Sequence, residues 1–211
     1  MQIIDLTHTL EPDMPVYPED TPPEFPRPCT YETYGFSVTA LNMGVHTGTH
    51  MDAPFHMLQD GPAVDWFQAD YFIGKAMVID LTGTGRLIAP EHLARLSKQN
   101  DLDYVLLRTG WDKHWGTEQY YRDWPELTLL AARVLTGLDL RGVGMDSPSP
   151  DPLDSHEYEA HMTLFRAGMV CIENLTNLAR IPEGTFTFSC LPLPIRNSDG
   201  SPCRAVAMVE D

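Results

Sequence analysis

Proline decides where this chain can be regular. Pro12, Pro15, Pro18, Pro22, Pro23, Pro26 and Pro28 all fall within residues 12–28. Each lacks an amide donor and holds φ at about −65°, so no helix interior or central strand tolerates that density. The stretch must be an extended loop, and long loops in compact domains often act as lids or binding loops. Outside it, apolar or alternating segments predict strands over 3–7, 37–42, 75–81, 104–108, 142–145, 169–172, 185–190 and 204–209. Helical spacing predicts helices over 90–98, opened by Pro90, over 127–138, and over 155–167, capped by Asp154 or Ser155 and stopped by Gly168. Asn197-Ser198-Asp199-Gly200 reads as the turn between the last two strands. The irregular mixture predicts one α/β domain with a mixed β-sheet, spanning residues 1–211.

Charge narrows the partners. Fourteen Lys and Arg stand against 30 Asp and Glu, a formal net charge of −16. Such a surface repels phosphate backbones and anionic lipid, which argues against nucleic-acid and membrane partners and for a small-molecule substrate. No apolar run reaches the about 18 residues that a membrane span requires. The opening Met1-Gln2-Ile3-Ile4-Asp5 has no basic stretch leading into an apolar one, which predicts a cytoplasmic protein without a secretory leader. Cys29, Cys171, Cys190 and Cys203 form no C-x-x-C pair and are expected to be reduced thiols.

Chemistry concentrates in His46-Thr47-Gly48-Thr49-His50-Met51-Asp52-Ala53-Pro54-Phe55-His56, which holds three of the eight histidines. His46 and His50 are spaced i, i+4, but Gly48 disfavours a helix and Pro54 forbids its continuation. An extended reading puts residues 46, 48, 50 and 52 on one face, with room for a cation over Gly48 between the two imidazoles. Two imidazoles and a carboxylate suit Zn²⁺ or Mn²⁺. Beyond Pro54, His56 can swing back toward the metal.

A second cluster lies far downstream. His156-Glu157…His161 is one residue too long for an H-E-x-x-H zinc helix. Glu157 and His161 nevertheless share a helical face, and Glu173 closes the apolar run 169–172 at a strand end. With Asp52 and Glu173 ionised, one divalent ion would be neutralised and two would leave a charge of about +2, with a bridging carboxylate spanning the pair.

The segment 46–56 resembles the H-x-G-T-H-x-D-x-P-x-H signature of the cyclase-type metal hydrolases, which include bacterial kynurenine formamidase, isatin hydrolase and proteins named as polyketide cyclases. Asp5-Leu6-Thr7-His8, Met14-Pro15-Val16-Tyr17-Pro18, Leu107-Arg108-Thr109-Gly110-Trp111, Gly144-Met145-Asp146-Ser147-Pro148-Ser149, and His161 with Glu173-Asn174-Leu175 extend the likeness over most of the chain. The resemblance implies that His46, His50 and Asp52 bind a first metal, that Asp52 also reaches a second, that His161 binds the second, and that Glu173 touches both. It implies His56 as the catalytic proton carrier. Tyr17 stands where kynurenine formamidase has a substrate-contacting tryptophan, and Glu19 where a glycine is usual. Also implied are a fold similar to a swivelling β/β/α domain and a homodimer.

Together these readings predict a hydrolase with two divalent ions, Zn²⁺ or Mn²⁺, acting on an amide by metal-activated water. An aryl formamide such as N-formylkynurenine is the leading substrate, with Tyr17 and Phe25 offering contact to a ring. A lactam hydrolase of the isatin type, or a cyclase, would use the same residues. An Fe(II) oxygenase built on His50-x-Asp52 and His161 would leave His46, His56 and Glu173 idle, and a metal-binding protein without turnover is the remaining alternative. The other histidines are expected to be structural or exposed, with His8 making a hydrogen bond. The four tryptophans are expected in the core or an interface.

Overall fold

The computed structural model describes residues 1–99 and 101–210. Its centre is a nine-stranded mixed sheet in the order β1-β11-β9-β3-β5-β7-β8-β2-β10. In chain order these strands are β1 (Gln2–Asp5), β2 (His50–Asp52), β3 (Ile73–Asp80), β5 (Tyr104–Arg108), β7 (Gly142–Met145), β8 (Val170–Glu173), β9 (Thr185–Ser189), β10 (Gly200–Pro202) and β11 (Val206–Val209). A separate two-stranded parallel ribbon joins β4 (Leu87–Ile88) to β6 (Glu126–Leu127). The middle of the large sheet, β3-β5-β7-β8, is parallel, and both wings are antiparallel. The mixed α/β architecture therefore agrees with the sequence reading.

Both faces of the parallel centre are covered, which explains its near-continuous apolar runs. On β5, Val105 and Leu107 enter one core with Leu93, Leu96, Leu135, Leu164 and Phe165. Tyr104 and Leu106 enter the other, with Ile4, Met51, Ile172 and Phe188. Among the described residues three α-helices accompany the sheet: α1 (Tyr31–Tyr34), α2 (Leu129–Thr136) and α3 (Glu159–Arg166). The Thr128 hydroxyl caps α2 by accepting from the Ala131 amide at 3.2 Å. α2 and α3 pack on each other, and α3 lies over β8.

Several expectations need correction. Residues 37–42 form no continuous strand; they are tied to the proline-rich loop by the bridges Cys29↔Val38 and Glu24↔Asn42 and by the Ala40 amide on the Pro26 carbonyl at 2.8 Å. Pro90–Lys98 is helical in the tighter 3₁₀ form. α3 begins at Glu159, and neither Asp154 nor Ser155 caps its first amides: the Asp151 carboxylate accepts from Ala160 and His161 at 2.8 and 2.9 Å. Ser155 Oγ accepts from Tyr158 instead. The 197–200 segment leads into β10, an extra short strand that alternation over three residues could not reveal. His8 makes its contact by stacking on Trp115, with centroids 3.9 Å apart, and only its backbone amide hydrogen-bonds, to Thr49 Oγ1. Trp124 is buried, whereas Trp66 is exposed.

Close strand packing yields a test. A Cβ on Gly142 would lie 2.7 Å from the Val170 carbonyl oxygen, which the parallel ladder holds in place. Gly142→Ala should lower stability by roughly 1–3 kcal/mol, the usual cost of overpacking. Urea unfolding would register this as a lower midpoint at constant slope.

Candidate metal centre

Strand pairing gathers the two ligand-rich segments. β2 runs antiparallel to β8, with His50 opposite Glu173 and Asp52 opposite Cys171. Met51 is buried in the core that contains Ile172, so alternation turns His50 and Asp52 to the opposite, helix-covered face. Cys171 belongs to that helix-side core, and Glu173, two residues on, shares its side. Helix α3 supplies His161 from above.

The resulting cluster is tight and buried. Asp52 Oδ1 lies 2.6 Å from His46 Nδ1 and 3.2 Å from His50 Nε2. Its other oxygen, Oδ2, is 3.6 Å from His161 Nε2, which is itself 3.2 Å from Glu173 Oε1. Glu173 Oε2 stands 3.5 Å from His50 Nε2. Among the described residues three groups of possible ligands emerge: the buried His46-His50-Asp52 and Asp52-His161-Glu173, which share Asp52, and the more exposed His46-His56-Asp199. The structure thus brings together all five residues singled out as metal ligands in the sequence. His56 adjoins them: its ring centroid is 4.2 Å from that of His46 and 6.4 Å from that of His161.

The local route differs from the expected one. Residues 46–49 form a turn, and only His50–Asp52 is strand. Gly48 has φ 70°, which an L side chain rarely adopts, and a Cβ there would meet Leu10 Cδ2 at 2.8 Å. The space over Gly48 is therefore filled by Leu10 and Met14, and no cation can sit there as the extended reading supposed. What the turn achieves is to aim the Gly48 carbonyl at His50 Nδ1, 2.8 Å away.

Every imidazole in the ligand groups is held by its outer nitrogen. His50 Nδ1 donates to Gly48, His161 Nδ1 to Asp151 Oδ2 at 2.8 Å, and His46 Nε2 to Asp199 Oδ2 at 2.7 Å. The inner nitrogens face Asp52 and Glu173. Fixing one ring nitrogen by a carbonyl or carboxylate is how proteins orient a metal-binding histidine. Two atoms fit a cation: His161 Nε2 and Glu173 Oε1 are buried, lie 3.2 Å apart and make no well-directed hydrogen bond. An orphaned pair of this kind is costly unless something else satisfies it, and a divalent ion ligated by both would do so.

Electrostatics point the same way. Burial opposes charge on His46, yet Asp52 and Asp199 outweigh it and hold its pKa up at about 10. Burial likewise opposes charge on His161, and Asp151, Asp52 and Glu173 overcome it. Asp52 is held well below the carboxylate range: burial would raise it, but His46 and His50 prevail. Glu173 is pushed up by burial and by Asp52 beside it. Buried bases that keep protons against desolvation mark a negative potential that a cation would neutralise. His56 is different, because burial pushes its pKa down and leaves it neutral.

A cavity of about 260 Å³ opens over these groups, walled by Tyr17, Tyr121, Tyr158 and Met57. Tyr17 reaches it from the proline-rich loop and packs edge-on against Tyr121 and Trp124. Burial pushes the Tyr17 phenol up to about 12, so it is a neutral donor. Pro18 and Glu19 form the turn after it, closed by the Asp20 amide on the Tyr17 carbonyl at 3.0 Å. Glu19 takes φ 76° there, the conformation a glycine would adopt without strain. Phe25, His156 and Glu157 do not line the cavity. Asp151, Asp199, Tyr121 and Tyr158 were missed in the sequence. Nothing marks them there: Asp199 looks like an ordinary turn residue and Asp151 like a loop residue between prolines.

Chelator-treated protein should gain thermal stability when Zn²⁺ or Mn²⁺ is added, by about 2.7 kcal/mol at one hundred times the dissociation constant. Asp52→Asn should lose most of that gain, since the residue belongs to both ligand groups. A melting temperature indifferent to both cations would disprove the ligand assignment.

Comparison with known proteins agrees with the geometry. Residues 4–152 match the Cyclase family model, described as "Putative cyclase". A kynurenine formamidase of Bacillus mycoides is 34% identical over 206 residues, covering 97% of this chain and 96% of the relative. Isatin hydrolase A of Labrenzia aggregata, solved with benzyl benzoate bound, superposes with a TM-score of 0.91 at 30% identity, over 100% of this chain and 94% of that one. A structure titled as a potential metal-dependent hydrolase with cyclase activity gives 0.83 at 29% identity, over 100% and 98%. With its family match, full-length relatives and convergent ligand groups, the chain belongs to the cyclase family of metal-dependent hydrolases.

Proposed function

We propose that this chain hydrolyses an aryl formamide, N-formylkynurenine in the first instance, releasing formate and the aryl amine. The observation that carries this reading is Asp52, whose two oxygens serve two separate ligand groups in one buried site. We assign two divalent cations to it, Zn²⁺ foremost and Mn²⁺ as the alternative. His46, His50 and Asp52 hold the first, and Asp52, His161 and Glu173 the second. When bound, such ions polarise a carbonyl and lower the pKa of water from 15.7 to about 7.

The chain's own groups supply the rest. His56, neutral through burial, takes a proton and passes it to the departing amine. Its Nδ1 is engaged by Asp199, which leaves Nε2 for that transfer. Tyr17, Tyr121 and Met57 give the aromatic ring an apolar wall, and the phenols remain neutral donors. The kynurenine formamidase relatives support the formamide, at 34% identity. Isatin hydrolase supports a second reading, opening of a lactam, through its fold and its 30% identity. An oxygenase triad of His50, Asp52 and His161 would leave His46, His56 and Glu173, which adjoin them, without a role.

A homodimer is also proposed, with the arm formed by residues 24–42 as its contact. This arm carries Tyr31, Tyr34, Phe36, Val38 and Leu41 exposed, a strip of apolar surface that a second copy would cover. Phe36→Asp should halve the molar mass seen by light scattering, and a monomer in the unmodified protein would refute the dimer.

Turnover of N-formylkynurenine, isatin and a simple aryl ester should be compared on metal-loaded protein. Formamide hydrolysis is expected to lead, and preference for isatin would transfer the assignment to lactam opening. His56→Ala should keep its metal and lose about 10²–10⁴ in kcat, the usual worth of acid–base catalysis. Full activity in that variant would remove His56 from the mechanism.

A further inference from the structure

We infer that Asp199 is a positioning residue which, through a single carboxylate oxygen, sets both a metal-holding imidazole and the proton-carrying one. Oδ2 is 2.7 Å from His46 Nε2 and 3.2 Å from His56 Nδ1. An ionised carboxylate only accepts, so both ring nitrogens must carry hydrogens. That requirement fixes two tautomers together. When a cation displaces the remaining proton of His46, the lone pair then falls on Nδ1, the atom that lies 2.6 Å from Asp52 inside the first ligand group. His56 is left with a lone pair on Nε2, the atom required to accept a proton.

The fold holds Asp199 for this task. Its carbonyl accepts the Ala53 amide at 2.8 Å, and the next residue, Gly200, pairs with Asp52 across β10 and β2. A side chain on Gly200 would strike the His46 ring, with Cβ 2.8 Å from Cε1, so the imidazole sits close against that strand. The Ser198 amide and hydroxyl are tied to Ile195 and to the Gly200 carbonyl, which stiffens the approach. Asp199 itself fills no core space, because its side chain is 40% exposed. Its two strongest contacts are the imidazoles. One carboxylate therefore links metal retention to proton transfer, although it sits in a turn more than 140 residues from either histidine.

The part of this inference that concerns His56 rests on the hydrolase reading; the part that concerns His46 does not. Zn²⁺ and Mn²⁺ affinities should be measured by titration of chelator-treated protein without substrate, for the unmodified chain, Asp199→Ala and Asp199→Asn. Asp199→Ala is expected to bind about 10–100-fold more weakly at unchanged stoichiometry, as for other partners of metal-bound histidines. Asp199→Asn, which keeps one oxygen acceptor, should fall between. At saturating metal, Asp199→Ala should lower kcat toward the His56→Ala value with KM little changed. In a His56→Ala background it should cost no further kcat while the metal weakening persists. Unchanged affinity would overturn the proposal, as would a fully additive loss of kcat in the double variant. A drop in the number of ions bound would overturn it too, because Asp199 would then be a ligand. If no formamide, lactam or ester is turned over, only the hydrolase reading falls, and the affinities still decide the role of Asp199 toward His46.

Discussion

Two carboxylates buried side by side govern this molecule. Asp52 and Glu173 are almost fully withdrawn from water, at 2% and 5% exposure, and no lysine or arginine lines their cavity. Burying like charges together is prohibitive unless positive charge and hydrogen bonds compensate. Three imidazoles crowd around them, each with its pKa raised by the carboxylates against the pull of desolvation, and even so one nitrogen and one oxygen, 3.2 Å apart, make no well-directed hydrogen bond. The arrangement makes physical sense as a receptacle for divalent cations, which would displace the imidazole protons and complete the unsatisfied atoms.

The sheet is organised to make that burial happen. Its parallel centre provides a two-sided core, and the antiparallel pairing at one edge inserts β2 between β8 and β10. A strand of only three residues is thereby held on both sides, with His50 and Asp52 facing the helix layer. Local departures from ordinary backbone collect nearby: Gly48 and Asn174 both have positive φ, at 70° and 56°. Asn174 serves the site directly, donating to the Gly48 carbonyl at 2.8 Å and accepting from the Tyr120 hydroxyl at 2.7 Å.

The wall of the cavity opposite the carboxylates is of another kind. It is built from phenols and a thioether borne on loops, with Tyr17 carried in by the proline-rich segment. Prolines restrict that segment without the support of a ladder, so its position rests on side-chain packing such as the edge-on contact of Tyr17 with Tyr121 and Trp124. The candidate ligands, borne on strand, turn and helix, are thus set apart from the loop-borne aromatics. This division is consistent with one family that includes both formamide and lactam hydrolases.

By itself the sequence determined the inventory of the centre. The H-x3-H-x-D-x3-H spacing pointed to a cation site because so many ligand side chains do not gather by chance. Apolar runs located the strands of the parallel centre to within two residues, since continuous burial on both faces leaves a strong signal. Only the tertiary structure decided how the inventory is assembled. The turn at Gly48, the three-residue β10, the role of Asp151 at the start of α3 and the placing of Asp199 all depend on contacts between segments far apart in the chain. Such contacts leave no periodicity to read, because an aspartate in a turn has the same local propensity whether it faces water or two imidazoles.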